Sequence, residues 1–233
     1  MINTYRCSYE IIEYIWKTYK IRFSISGLNK WLHQHNFSYK YPKGVPHKFD
    51  EEKQADFIEK YTHLKSQAVD EPILFMDAMH PTQATKVSCG WIKIGHDKSI
   101  ETTGSRTRIN LIGAIDLNNL AAAQVKRYDK VNGETIQHFF EEIRAHNGSD
   151  TRIHLILDGA GYHRAKVVKD KAEELNIELH YLPPYSPNLN PIERLWKVMN
   201  EHVRNNKYFA TAKEFRDKID EFFSQTLPQI GDI

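Results

Sequence analysis

The chain is poor in several features that would each point to a different kind of protein. It has two cysteines among 233 residues, Cys7 and Cys89, far apart in sequence. They spell out neither a disulfide framework nor a cysteine zinc site, and a reducing cytoplasm fits. No run approaches the roughly 18 apolar residues that a membrane helix needs. The opening residues, MINTYRCSYEII, lack the basic, apolar, then small-residue layout of a secretion signal. Internal repeats and low-complexity tracts are missing too. Net charge is small, since 32 Lys and Arg face 30 Asp and Glu. What remains is 40% hydrophobic and 27% charged, the balance of a soluble globular protein with one good core and room for a small second domain.

The small net charge hides an asymmetry. Residues 1–49 hold 8 Lys and Arg against 2 Asp and Glu, whereas residues 50–233 hold 24 against 28. Basic charge gathered at one end hints at phosphate contact there. In that segment Ile11, Ile12, Ile15, Trp16 and Tyr19 recur at helical spacing, with Ser8 as candidate N-cap. A second helix is predicted over 26–36, capped by Ser26, with Leu28, Trp31 and Leu32 inward. The basic, aromatic tail FSYKYPKGVPHKF follows. The pattern suggests part of a helix-turn-helix or winged helix over residues 1–49, and equally a plain helical hairpin. In the first reading Asn29, Lys30, His33, Gln34 and His35 face DNA, joined by Lys40 and Lys43 of the tail. A helical linker at 50–70 comes next, with Asp50 as N-cap and Phe57, Ile58, Tyr61 and Leu64 as its apolar stripe.

From residue 71 the pattern alternates between strand and helix. PILFMDA reads as a buried strand, SCGWIKIG shows strand alternation, and RINLIGAIDL and AAAQVKRY are two more strands around a turn at Leu117-Asn118-Asn119. Residues 133–146 read as a helix with Ile136, Phe139, Phe140 and Ile143 inward. Strand, helix, strand and two helices follow. This order predicts a ribonuclease-H-like α/β domain over 71–225, a mixed five-stranded sheet flanked by helices, with 226–233 as a tail.

Three acidic residues stand out on this frame. Asp77 ends one apolar run, Asp158 ends another in IHLILDGAGYH, and Glu193 lies in LPPYSPNLNPIERLWKVM, where a helix begins. Two strand ends and a helix can bring three carboxylates around two divalent metals about 3.5–4 Å apart, an arrangement suited to in-line attack on a phosphodiester. Nearby residues carry two readings each. His163 contacts the scissile phosphate or caps the following helix, and His80 either serves the site, behind the acids or on DNA, or is a surface histidine. Gly159 and Gly161 permit tight backbone near the metals or form a simple turn. Pro191 belongs in the first turn of the helix that carries Glu193. Tyr185, Ser186 and Asn190 are candidate DNA contacts, as are the cations Arg194 and Lys197 and the pair Arg106 and Arg108 in TGSRTR. Trp196, at helical spacing with Ile192 and Met199, reads as core.

The segment LPPYSPNLNPIERLWKVM, with LILDGAGYH and FMDAMHP, resembles the signature blocks of mariner-superfamily DDE transposases, and more narrowly the bacterial insertion-sequence 630 family. The 34 residues between Asp158 and Glu193 match that superfamily's spacing, and the resemblance runs from about residue 8 to 225. It implies a ribonuclease-H-like core using two Mg²⁺ or Mn²⁺ ions, with Asp77 bridging both, Asp158 holding one and Glu193 completing the other. It also implies cutting at terminal inverted repeats, insertion at a TA dinucleotide, double-stranded DNA as partner, and a homodimer bridging two element ends. No small-molecule cofactor or membrane is implied. The family generally carries two helix-turn-helix units, and this chain is expected to begin inside the second. Two rivals stand beside this reading: a truncated or domesticated DNA-binding protein, and another ribonuclease-H-like nuclease.

Overall fold

The computed structural model describes residues 7–40, 50–148 and 151–231. Contacts divide the chain into two units, Met1–Val45 and Pro46–Ile233. The first unit holds α1 (Ser8–Tyr19) and α2 (Ile25–Gln34). α1 stops where Lys20 turns left-handed at φ 59°. The two helices are tied by the Ser8 hydroxyl, which donates to Asn29 Oδ1 at 2.6 Å. Ser8 is therefore the first helical residue and not the cap, a place taken by Cys7 without a side-chain bond. Likewise Ser24, not Ser26, caps α2, because its extended backbone lets its oxygen accept from the Gly27 amide. Leu28 is buried as expected, but Trp16, Tyr19 and Trp31 are exposed. Arg22 lies 4.5 Å from the Trp16 ring, and His35 stacks 4.0 Å from Trp31. Both tryptophans thus use polar neighbours in place of a core. Lys43 lies outside the described residues.

The second unit opens with α3 (Glu51–Gln67), capped by Asp50, whose side chain accepts from the Lys53 amide. Phe57 and Tyr61 pack inward, while Ile58 is exposed, contrary to the expected stripe. Its place is taken by Gln54, which is buried. Five strands follow: β1 (Ile73–Met79), β2 (Asn110–Asp116), β3 (Asn119–Tyr128), β4 (Ile153–Leu157) and β5 (Ile177–Tyr181). Their order in the sheet is β3-β2-β1-β4-β5. The first three pair antiparallel; β1–β4 and β4–β5 pair parallel. This is the expected mixed sheet. Residues 88–95 form no strand, with Trp91 and Ile94 fully exposed. Both neighbours of β1 are already β2 and β4, so the alternating run finds no sheet partner there.

Side chains alternate across a strand, so each strand feeds two cores. Leu74 and Met76 of β1, with Leu155 and Leu157 of β4, face α4 (Gly133–Asn147) and α5 (Lys166–Glu174). There Ile136, Phe139, Phe140 and Ile143 are all buried, as their spacing predicts. Phe75 and Ile156 face the other way, onto α3 and α6 (Ile192–Met199), whose buried stripe is Ile192, Trp196 and Met199. α6 runs on as a π-helical turn over Asn200–Arg204. α7 (Ala212–Glu221) and α8 (Leu227–Ile230) complete the unit, with Phe215, Ile219 and Leu227 buried in one cluster.

Candidate active site

The strand register brings two of the three acids abreast. Phe75 of β1 pairs with Ile156 of β4 in parallel. Extending that register by two residues sets Asp77 beside Asp158, which directly follows β4, and the charge of Asp158 acts on Asp77. On its other flank Asp77 pairs with Gly113 of β2. Glu193 arrives from the first turn of α6, with Pro191 at the N-cap. That turn is pinned to β1, because the buried Asn190 donates from Nδ2 to the carbonyl of Met76, next to Asp77. Asn190 and Ser186 are buried and so are not DNA contacts. Ser186 accepts from Gln54 Nε2 at 2.7 Å, which locks the proline-rich turn onto α3. Of that group only Tyr185 is exposed.

Two of the three carboxylates have an anchor of their own. Trp196 Nε1 donates to Asp77 Oδ2 at 2.9 Å. Its ring fits only because position 113 is glycine, where a Cβ would stand 2.6 Å from the indole. Trp196 is core, as its spacing implies, and also a hydrogen-bond donor to an acid, which helical spacing does not reveal. Asp158 Oδ1 lies 2.7 Å from His163 Nδ1 and accepts from the Ala160 amide at 3.0 Å. His163 is fully buried and holds Asp158, so its ring is not presented to solvent, and it does not cap α5, whose start has no side-chain cap. Gly161 has open space around it and Gly159 faces only the flexible end of Arg164, so neither turn position demands glycine on steric grounds.

The electrostatics record the convergence. Burial raises the Asp77 carboxyl to about 6, against the Trp196 hydrogen bond, and the charges of Glu193 and Asp158 add to the rise. Glu193 is raised by partial burial and by Asp158. Asp158 is lowered, chiefly by His163. Tyr162, absent from the sequence reading, is pushed up to about 12 by burial and then by the charges of Asp158 and Asp77. Like charges held this close call for a cation.

A cleft of about 400 Å³ opens over Asp77 and Glu193, with Lys86, His80 and Lys197 in its walls. Lys86 escaped the sequence reading because it is brought there by a bridge to Asn205, 119 residues on. His80 is exposed and its Nδ1 lies 2.9 Å from Asn110 Oδ1. Arg194 is exposed on α6, while Arg106 and Arg108 are exposed before β2. In the first unit Lys30, His33, Gln34 and Lys40 are exposed, and Asn29 is exposed but engaged by Ser8.

A family model of the DDE superfamily endonucleases matches residues 72–216. The chain belongs to that superfamily. A winged helix-turn-helix model matches residues 8–61, taking in α1, α2 and part of α3. An insertion element IS630 uncharacterized 39 kDa protein from Shigella sonnei is 23% identical over 187 residues, 80% of this chain and 53% of that protein. An uncharacterized protein y4pE/y4sA from Sinorhizobium fredii is 37% identical over 76 residues, 33% of this chain and 54% of that protein. The DDE chain thus spans about half the length of the curated relatives it matches. Among solved structures, a mariner Mos1 paired-end complex with Mg superposes with a TM-score of 0.69 at 18% identity, over 97% of this chain and 72% of that one. A Mos1 transposase paired-end complex with the left transposon end gives 0.65 at 17%, over 98% and 78%. The fold of the second unit is ribonuclease-H-like, preceded by a winged helix-turn-helix.

Proposed function

We propose that this DDE-superfamily chain is a DNA transposase that cuts at the terminal inverted repeats of its element and joins the freed 3′-hydroxyl to target DNA at TA. The observation that carries this reading is the convergence of three acids: Asp77 and Glu193 line one cleft, the charges of Glu193 and Asp158 raise Asp77, and that of Asp158 raises Glu193. The donor set fits a hard cation, since carboxylate oxygens suit Mg²⁺ and Mn²⁺. Each acid keeps lone pairs to spare beyond the anchors that Trp196, His163 and the Ala160 amide supply. Bound by these three residues, Mg²⁺ or Mn²⁺, two ions in this reading, supplies Lewis acidity toward water, the 3′-hydroxyl and the phosphate.

The chain's own groups do the rest. Trp196 and His163 orient two of the acids before substrate arrives, so little reorganisation is left for the reaction. Lys86 and Lys197 offer positive charge to phosphates entering the cleft, and Arg106, Arg108 and Arg194 extend it. α2 reads the element ends through Lys30, His33 and Gln34. Two copies bridge the two ends, in the bacterial cytoplasm. The test is a labelled duplex carrying the repeats that flank its gene, supplied with a 3′-hydroxyl or a 3′-deoxy end, in Mn²⁺. Joined product from the 3′-hydroxyl end alone, absent with Asp158→Asn, is expected. Cutting without joining from either end would leave a nuclease and remove the transposase reading.

A further inference from the structure

A second group of metal-type ligands lies away from the three acids, where β4 meets the edge strand β5. His154 of β4 pairs with Glu178 of β5, and His180 pairs with Ile156. Alternation places His154, Glu178 and His180 on one face of the sheet. His154 Nδ1 and His180 Nε2 stand 3.1 Å apart. Glu178 Oε2 is 3.6 Å from His154 Nδ1, and its Oε1 is 3.8 Å from His180 Nε2. The three ligand atoms thus lie within 4.8 Å of one another. A tetrahedral Zn²⁺ with bonds of about 2.0–2.2 Å has ligand-to-ligand edges of about 3.3–3.6 Å. The observed separations lie close to that figure, the two from Glu178 being made by its two different oxygens.

The surroundings complete the pattern. The outer nitrogen of His154, Nε2, is held at 2.7 Å by Glu71 Oε2. A carboxylate on the far side of the ring is the usual device that orients a metal-binding imidazole. With Nε2 turned to Glu71, Nδ1 is the ring nitrogen that faces His180 and Glu178. His154 is only 3% exposed, while His180 is half-buried and Glu178 is exposed on the edge strand. Glu178 Oε2 also accepts from the exposed Arg152 at 3.2 Å, leaving Oε1 toward His180.

We propose that His154 Nδ1, His180 Nε2 and the Glu178 carboxylate bind a Zn²⁺-class ion that clamps the edge strand β5 to β4. Two imidazoles and one carboxylate prefer Zn²⁺, Co²⁺ or Ni²⁺ over Mg²⁺, which separates this site chemically from the all-carboxylate cleft. The clamp sits on the strand that delivers Asp158, four residues upstream. Glu71 is the positioning residue that fixes the His154 tautomer.

The experiment uses the full chain, stripped with chelator and dialysed against Zn²⁺. Metal content, the melting temperature with Zn²⁺ against Mg²⁺, and the visible spectrum with Co²⁺ are read together. The wild-type chain is expected to hold one equivalent of Zn²⁺, to melt higher with it, and to give tetrahedral Co²⁺ bands. His180→Gln and Glu178→Gln, both on a partly exposed edge, are expected to lose that equivalent while keeping a folded circular dichroism spectrum. Glu71→Gln should weaken affinity about 10–100-fold. Asp158→Asn should keep the zinc. Wild-type protein without zinc overturns the proposal. So does zinc retained by His180→Gln and lost by Asp158→Asn.

Discussion

Trp196 serves packing and chemistry at once, and substitutions separate the two. Trp196→Phe keeps most of the buried ring and removes only the donor to Asp77 Oδ2. Metal-dependent DNA cutting is expected to fall about 10–100-fold, the usual cost of losing an outer partner of a ligand. Gly113→Ala strikes the same contact from the other side, pressing a Cβ to 2.6 Å from the indole. Overpacking of this kind costs about 1–3 kcal/mol, measurable as a lower melting temperature. Asp77 carries a pH signature. Its carboxyl is raised in the fold from 3.8 to about 6, so the folded protein holds this proton more tightly than the unfolded chain. The resulting penalty is absent below the unfolded value, grows as pH climbs through about 6, and is complete above it. Asp77→Asn is therefore expected to stabilise the metal-free protein by on the order of 2 kcal/mol near neutral pH and negligibly at acid pH. Equal stabilisation at both ends of a pH series of melts would contradict this. The three acids were legible because each closes a recognisable motif. The donors behind them were not. The bond from Trp196 on α6 reaches Asp77 on β1, 119 residues away, and His163, expected as a phosphate contact or a helix cap, is buried against Asp158.

Elements were legible where their periodicity reports burial directly. The inward face of α4 is the one its spacing predicts, and β1, β4 and β5 fall on their apolar runs. Residues 88–95 alternate like a strand yet form none, because alternation describes a surface and not a partner. Caps shifted by one or two residues for a local reason, the extended backbone at Ser24. Gln54 is the instructive case. A glutamine on a helix reads as solvent-facing, but here both ends of its amide are used, Nε2 to Ser186 and Oε1 from Asn188. Gln54→Ala is expected to cost about 1–3 kcal/mol in chemical denaturation and to loosen the turn before Glu193. A neutral result would mean that α3 does not support that turn.

For the whole molecule, the family match and the sheet order agree with the reading from motifs, while the distribution of charge carries a prediction of its own. The basic end and the lysines of the cleft call for phosphate, so affinity for duplex DNA should fall steeply and log-linearly with salt. Titrations at several ionic strengths read that slope, and a flat one would leave the charge asymmetry without a ligand. None of the descended spacing rules could find Lys86 or the His154 cluster, since both arise from strands and bridges that join distant parts of the chain. The central claim is that Asp77, Asp158 and Glu193 act as one metal-dependent site on DNA. Nicking of supercoiled plasmid in Mn²⁺, measured for the wild-type chain beside Asp77→Asn, Asp158→Asn and Glu193→Gln, tests it most directly. The account predicts nicking that requires the metal and is abolished by each of the three substitutions. Full activity in any one of them would contradict it.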